Sequence, residues 1–88
     1  MVRIVVDGVE VDLPSDMADL AAIWEKAVEE GVDSLSHEEL SELLRGISRL
    51  MRSGREDRRR AARIMDEYIR ERLDEAAIKK ILMRRAVG

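Results

Sequence analysis

The chain has 88 residues, 45% of them hydrophobic and 40% charged with a formal net charge of -3, so we expect one compact domain rather than a disordered segment. It contains no cysteine, which excludes disulfides, thiolate metal sites and cysteine nucleophiles. No apolar run approaches the roughly 18 residues of a membrane span and the first residues lack a signal-peptide pattern, which predicts a soluble, cytoplasmic protein.

The first predicted element is a β-hairpin over residues 2–13. Asp7-Gly8 separates two alternating segments and suits a type I′ turn, in which both central residues have positive φ. The register that this turn imposes places six apolar side chains on one face: Val2, Ile4, Val6, Val9, Val11 and Leu13. The opposite face pairs Val5 with Glu10 and Arg3 with Asp12, so it is a largely polar face with one ion pair. Two strands alone are marginally stable, so we expect helices on the apolar face.

A first helix is predicted over about residues 15–30. Pro14 closes the strand, and the side chain of Ser15 or Asp16 is expected to cap the helix. Gly31 is expected to end it in the left-handed conformation. Its apolar stripe follows helical spacing: Met17, Leu20, Ala21, Trp24, Ala27 and Val28.

A second helix is predicted over about residues 36–53. Ser36 and Glu39 have the spacing of a capping box, in which each side chain bonds the other residue's free backbone N–H. Gly46 lies in the middle at a cost of about 1 kcal/mol relative to alanine, which indicates a close helix crossing. The buried stripe is expected to contain Leu40, Leu43, Leu44, Ile47, Leu50 and Met51.

From Glu56 onward the pattern is helical, with a stripe formed by Ala61, Ala62, Met65, Ile69 and Leu73 and a second one by Ala77, Ile78, Ile81 and Leu82. A single helix over 56–86 would be about 46 Å long, although a globule of this size has a radius of gyration near 12 Å. We therefore predict a break near Asp74, with helices over 56–73 and 75–86; one continuous helix is the alternative and would favour a dimer. The fold class is α+β, a hairpin packed on three helical segments (ββααα) in one domain over residues 1–88; the last segment is either the pair 56–73 and 75–86 or one long helix.

No catalytic or metal-binding pattern is present. His37 is the only histidine, and its run with Glu38 and Glu39 differs from the helical zinc pattern with two histidines. Ser34, Ser36 and His37 are too close in sequence to align as a nucleophile and base, and no nucleophile elbow exists. The five glycines are scattered, so no phosphate loop is formed. We expect no enzyme activity, metal or cofactor, and an exposed His37.

The candidate binding residues are eight arginines, here called the arginine cluster: Arg45, Arg49, Arg52, Arg55, Arg58, Arg59, Arg60 and Arg63. Such a cluster could bind the phosphates of a nucleic acid. Against this, the chain has a pI near 5.2 and no aromatic residue lies beside the cluster. Residues four apart also form predicted ion pairs, namely Glu56–Arg60, Arg63–Glu67 and Asp66–Arg70. We favour a solvated, ion-paired face.

The charge is also divided between the two halves of the chain. Residues 1–44 carry two basic and twelve acidic side chains, whereas residues 45–88 carry fourteen basic and seven acidic ones. This asymmetry is typical of a binding surface for nucleic acid or an acidic partner, or of two halves that lie against each other. We expect the two halves to be neighbours, with much of the charge neutralised internally.

The agreement of turn, caps and stripes resembles an idealised, de novo designed mini-domain. The resemblance implies a stable monomeric scaffold whose function is its fold. The Arg58-Arg59-Arg60 run, Gly46 and the lack of phenylalanine depart from that style and keep a small natural protein as the alternative. A natural protein would be a non-enzymatic adaptor or assembly module, with a protein partner or a second copy as its ligand. Nucleic-acid binding through the arginine cluster is the second hypothesis, and no membrane association is expected.

Overall fold

The structure, a computed structural model, describes the backbone of residues 2–87 and the side chains of residues 2–75. Its elements in chain order are β1 (Val2–Val6), β2 (Val9–Leu13), α1 (Ala18–Glu30), α2 (His37–Met51) and α3 (Glu56–Val87). Single turns of 3-10 helix at Ser15–Met17 and Val32–Ser34 precede and follow α1. The predicted α+β arrangement of a hairpin followed by helices is confirmed.

The hairpin has the predicted turn and register. Asp7 and Gly8 have φ of 53° and 77°, as a type I′ turn requires. The residues of each predicted cross-strand pair lie opposite each other in the two strands. On the outer face, Arg3 Nε is 3.1 Å from Asp12 Oδ1. The inner face differs at one position, because Val9 is 60% exposed. Val9 lies beside the turn, where the space between the hairpin and α3 remains an open groove.

The three helices cover the hairpin from one side. α1 packs against β1, α3 packs mainly against β2, and α2 packs against both α1 and α3. The largest fully buried side chains are Val6, Leu13, Leu43, Ile47, Met65 and Ile69, so every one of these elements except α1 contributes at least one of them. From α1, Ala27 is also fully buried. The hydrophobic core therefore lies between the sheet and α2, with α1 and α3 on either side.

The buried faces of the helices are narrower than the predicted stripes. On α1, Val28 is 49% exposed, whereas Ile23, absent from the prediction, is buried. On α2, Leu44 and Met51 are each 37% exposed, and on α3 Leu73 is 38% exposed. An apolar stripe spans more of a helix surface than one neighbouring element covers, so its flanking members remain partly in solvent.

The helix ends confirm one predicted cap and correct two. Ser36 Oγ accepts from the Glu39 N–H at 3.1 Å, and Glu39 Oε1 accepts from the Ser36 N–H at 3.0 Å, which completes the capping box. The predicted cap by Ser15 or Asp16 is wrong, because α1 has no side-chain cap and Asp16 bonds Arg49 instead. Gly31 ends α1 with φ 98° and ψ 151°, which is a positive φ but not the left-handed helical conformation.

The predicted break near Asp74 is also wrong, because α3 is one helix of 32 residues. The sequence from 56 to 87 contains no proline or glycine, and an aspartate inside a helix costs only a fraction of a kcal/mol. The longest dimension of the molecule is 51 Å and its radius of gyration is 14.5 Å, larger than a compact globule of this length has. The predicted second stripe, Ala77, Ile78, Ile81 and Leu82, lies outside the described side chains.

Gly46 marks the close crossing of α1 and α2 that its position predicts. A Cβ atom at residue 46 would lie 2.7 Å from Leu20 Cδ1 and 3.2 Å from Leu20 Cγ. Leu20 is buried, so its side chain fills the space that a larger residue would need.

Within the described residues, none of the helices has the length and apolar character needed to cross a bilayer.

Candidate functional site

Most residues of the arginine cluster form an ion pair or a hydrogen bond with an oxygen atom of another residue. Arg49 lies 2.7 Å from Asp16, Arg55 lies 2.7 Å from Asp57, Arg59 lies 2.6 Å from Glu56, and Arg63 lies 3.7 Å from Glu56. Arg58 Nε donates to the backbone carbonyl of Asp12 at 2.8 Å. Five of the eight arginines therefore have a partner within the protein.

The other three arginines, Arg45, Arg52 and Arg60, form no ion pair among the described side chains. Arg45 and Arg52 lie beside Ser48 on α2, whereas Arg60 lies on α3 near the hairpin turn. The arginines of the cluster that lack an ion pair among the described side chains therefore lie at two separate sites, one on α2 and one near the hairpin turn.

Two of the three predicted ion pairs differ from the observed ones. Asp66 and Arg70 pair at 2.9 Å as predicted. Glu56 instead pairs with Arg59 and Arg63, so neither Glu56–Arg60 nor Arg63–Glu67 is formed. Residues three and seven positions after Glu56 lie on its side of the helix, which explains why Arg59 and Arg63 reach its carboxylate.

Within residues 2–75, the two oppositely charged halves form few ion pairs with each other, contrary to the expected mutual neutralisation. Among the ion pairs of the described side chains, Arg49–Asp16 alone joins residues 1–44 to residues 45–75. The acidic half includes its own pairs, Arg3–Asp12 and Lys26–Glu39. Most of the ion pairing is therefore local.

The carboxylates with shifted pKa values belong to these ion pairs or to the α2 cap. The bond from Arg49 lowers the pKa of Asp16, that from Arg55 lowers the pKa of Asp57, and that from Arg59 lowers the pKa of Glu56. The Ser36 N–H and Lys26 lower the pKa of Glu39. All four remain ionised at neutral pH, as ion-pair and cap acceptors, which is not the state of a general acid. No group of three His, Asp or Glu side chains within the described residues could hold a metal ion.

Trp24 joins α1 to the outer edge of β1. Its indole Nε1 donates to the carbonyl of Val5 at 3.1 Å, and the indole packs edge-to-face on Tyr68 with 5.2 Å between ring centroids. The guanidinium of Arg72 lies over the Tyr68 ring, with its central carbon 3.6 Å from the ring centroid. Arg72 lies outside the predicted arginine cluster, and it reaches Tyr68 because residues four positions apart are neighbours on the surface of α3.

A groove of about 520 Å³ runs between β1 and α1, and we call it the β1–α1 groove. Two of its apolar side chains face solvent, because Val5 is 58% exposed and Val28 is 49% exposed. Its lining also includes Ala21, Ala22, Glu25 and Glu29. The signal for it in the sequence was Val5, an apolar residue on the hairpin face predicted to be polar.

The strand edge beside this groove has unused backbone groups. Because Val6 and Val9 flank a two-residue turn, they form a hydrogen-bonded pair, so the N–H and C=O groups of Arg3 and Val5 point away from β2. Trp24 occupies the Val5 carbonyl. Among the hydrogen bonds of the described residues, the Arg3 N–H, the Arg3 carbonyl and the Val5 N–H have no partner.

On the corresponding edge of β2, α3 provides a partner for one outward-pointing backbone group. Arg58 donates to the Asp12 carbonyl, which points outward in the same way as that of Val5. A second groove of about 360 Å³ lies near the turn, between Val9 and Ile64. This second groove faces the inner side of the hairpin. Of the two grooves, the β1–α1 groove is the one that runs along the edge of β1.

Comparison with known proteins gives no assignment, since no protein family, curated protein or solved structure matches this chain. The candidate site is therefore defined by its geometry, namely an apolar trough beside an unpaired strand edge.

Proposed function

We propose that the protein is a non-catalytic binding module for another protein, and that the β1–α1 groove is its binding site. The observation that carries this proposal is the exposed pair Val5 and Val28 beside backbone groups of β1 that have no partner in the described part of the chain. An uncovered strand edge attracts a further strand, and neighbouring apolar side chains contribute the burial that makes such binding favourable.

The charges of the groove support a basic partner segment. Glu25 and Glu29 lie on the α1 side and form no ion pair among the described side chains. Arg3, on the β1 side, is already paired with Asp12. The uncompensated charge of the groove is thus negative, and complementary charge on the partner would favour association and select its orientation.

The experiment is a binding titration followed by amide and methyl NMR signals, with peptides of about ten residues. One peptide has valine at its centre and lysine two residues later, and a second has glutamate in place of that lysine. We expect the lysine peptide to shift the signals of Val5, Val28 and the Trp24 indole, and the glutamate peptide to bind more weakly. If neither peptide shifts these signals, the proposal is wrong and the scaffold without a ligand is favoured.

Nucleic-acid binding is the second candidate function, and one observation favours it. Arg45 and Arg52 lie beside Ser48 on α2 without a carboxylate partner in the described residues. A titration with duplex DNA and RNA at two salt concentrations tests it, because phosphate binding weakens steeply with salt. Micromolar binding that is lost in Arg45→Gln but kept in Arg60→Gln would establish this function. We expect no such binding.

A further inference from the structure

We propose that residues 74–85 of α3 form an antiparallel helix pair with the same residues of a second copy of this chain. The inference goes beyond the proposed function and does not depend on it, because it concerns a surface outside the lining of the β1–α1 groove. Three observations carry it: the uninterrupted course of α3, the change of its apolar side after Ile69, and the order of charges along residues 74–85.

The helix α3 extends beyond the elements that cover its first part. Its 32 residues span about 48 Å, close to the longest dimension of the molecule, 51 Å. The next longest element, α2, has 15 residues and spans only about 23 Å. Ile69 is the last buried residue among the described side chains of α3. The exposed residues that follow it are Arg70, Glu71, Leu73, Asp74 and Glu75.

The apolar side of α3 changes along its length. Ile69 is fully buried in the core. Ile78 comes nine residues later, about two and a half turns, so it lies on the opposite side of the helix axis from Ile69. Ile81 and Leu82 follow Ile78 by three and four residues and lie on its side. The protein's own core lies on the Ile69 side, so this second apolar side is not the one that the core covers.

The second apolar side has the spacing of a helix pair and carries opposite charges at its two ends. Asp74, Ile78, Ile81 and Arg85 are separated by four, three and four residues. This alternation is the spacing of the positions that meet a partner helix in a coiled coil. An acidic residue thus begins the series, two isoleucines form its middle, and a basic residue ends it.

The charges at the two ends are not matched by neighbours on the same helix. The one basic residue three or four positions from Asp74 is Arg70, which pairs with Asp66 at 2.9 Å. No acidic residue follows Glu75, so none lies three or four positions from Arg85. Asp74 and Arg85 are themselves about 17 Å apart along the helix and cannot pair within one chain.

The order of these charges determines the direction of the helix pair. When Ile78 is aligned with Ile81 of an antiparallel second copy, Asp74 lies opposite Arg85 of that copy, and two-fold symmetry repeats both pairs. A parallel pair in register places Asp74 opposite Asp74 and Arg85 opposite Arg85, so like charges meet at both ends. A parallel pair shifted until Asp74 reaches Arg85 no longer brings the isoleucines together. The antiparallel pair matches apolar residues and opposite charges in the same register.

The second copy has room on this side of α3, because the core lies on the opposite, Ile69 side. The contact covers about three turns of each helix, which is less than the interface of a permanent dimer. We therefore expect reversible association, with dimers at about 0.5 mM protein and monomers at about 5 µM. A dimer carries two β1–α1 grooves, so a partner with two binding segments would gain affinity by occupying both.

The main test exchanges the two charges and follows the dimer by sedimentation at low salt. Asp74→Arg alone and Arg85→Asp alone place like charges opposite each other at both ends, and each should raise the dimer dissociation constant about tenfold or more. An equimolar mixture of the two variants restores both opposite pairs, and so does the double variant, so both should dimerise like the unchanged protein. Glu67→Arg is the matched control, because it makes the same charge change at an exposed position of α3 outside residues 74–85.

A distance measurement tests the direction without altering either charge. The chain contains no cysteine, so Glu71→Cys, at an exposed position, allows one spin label per copy. In the antiparallel dimer the two labels should be about 25–35 Å apart, whereas in a parallel dimer they would be closer than about 15 Å. The shorter distance would overturn the proposed direction.

Other results would also overturn the inference. These are a chain that stays monomeric at every concentration, and a mixture of the two charge variants that forms no dimer. If raising the protein concentration shifts the NMR signals of Val5 and Val28 instead of residues 74–85, the second copy occupies the β1–α1 groove and the inference is wrong. If no dimer forms and Asp74→Arg strengthens binding to vesicles of anionic lipid, this part of α3 binds a membrane surface instead.

Discussion

At the scale of single residues, the packing of the described core depends strongly on the side chains at a few positions. Gly46 is such a position, because Leu20 fills the space where its side chain would be. Trp24 is another, because its indole both fills the core and bonds the edge of β1. The sequence shows Gly46 as a glycine inside a helix and Trp24 as one member of an apolar stripe, and packing explains each one.

We expect Gly46→Ala to destabilise the protein by about 1–3 kcal/mol, despite the better helix propensity of alanine, because the new methyl group overpacks Leu20. The measurement is urea unfolding followed by circular dichroism. Gly54→Ala is the control, since no atom lies within 4 Å of a Cβ built there. An equal or higher stability of Gly46→Ala would show that the two helices do not cross so closely.

Ser36→Ala should cost about 1 kcal/mol, because the Glu39 N–H at the start of α2 loses its acceptor. His37→Ala, at the next and exposed position, should change the free energy of unfolding by less than about 0.5 kcal/mol. Thermal unfolding of both variants checks this pair. A large loss for His37→Ala would reveal a role for the imidazole that the fold does not indicate.

At the scale of elements, the main difference from the sequence prediction is the length of α3. The shift of its apolar stripe after Leu73 suggested two helices, yet the backbone continues through Asp74 without interruption. The apolar residues of a helix can move to another side along its length without a break. This is possible because a helix can extend beyond the elements that cover its first part. The sequence around Asp74 contains no glycine, proline or capping box that would mark a helix end.

Glu75→Pro distinguishes one helix from two. Proline is well tolerated at the first position of a helix, so it would be harmless if Asp74 capped a new one. Inside a continuous helix it costs about 3 kcal/mol or more and interrupts the hydrogen bonds. We therefore expect a loss of helical circular dichroism signal in Glu75→Pro, and an unchanged signal would support the break.

The helix starts also predict an acid response. Asp16, Glu39, Glu56 and Asp57 have lowered pKa values in the folded protein, because each accepts bonds from arginine, lysine or backbone N–H groups. A carboxylate with a lowered folded pKa stabilises the protein above its unfolded pKa, and this stabilisation is lost as the pH falls through the folded value. The urea midpoint should therefore decrease below about pH 4. In Glu39→Gln this decrease should be smaller.

At the scale of the whole molecule, hairpin register, fold class and the α2 cap follow from the sequence because each has a local cause. The turn determines the register, and the capping box determines where α2 begins. The extent of burial depends instead on which neighbour covers a helix, and so Val9, Val28 and Leu44 were wrongly expected to be buried. The β1–α1 groove was not predicted for the same reason, since it forms between elements that are distant in sequence.

The exposure of adjacent leucines on α2 makes this difference measurable. Leu43 is fully buried and Leu44 is 37% exposed, although the sequence pattern treats them alike. Leu43→Asp places a charge in the core and should unfold the protein, as should Leu13→Asp. Leu44→Asp should cost only about 1–2 kcal/mol. Equal unfolding of Leu43→Asp and Leu44→Asp in a thermal melt would contradict the described burial.

The bond between Arg58 and the Asp12 carbonyl, which joins residues 46 positions apart, has a consequence for synthesis. The hairpin leaves the ribosome before α3, which packs on β2 and contributes the fully buried Ile69. Until α3 follows, the apolar face of the newly made hairpin is incompletely covered. The native fold is therefore completed only after α3 has been made, and a chain that stalls before α3 presents an apolar sheet face to chaperones or to other nascent chains.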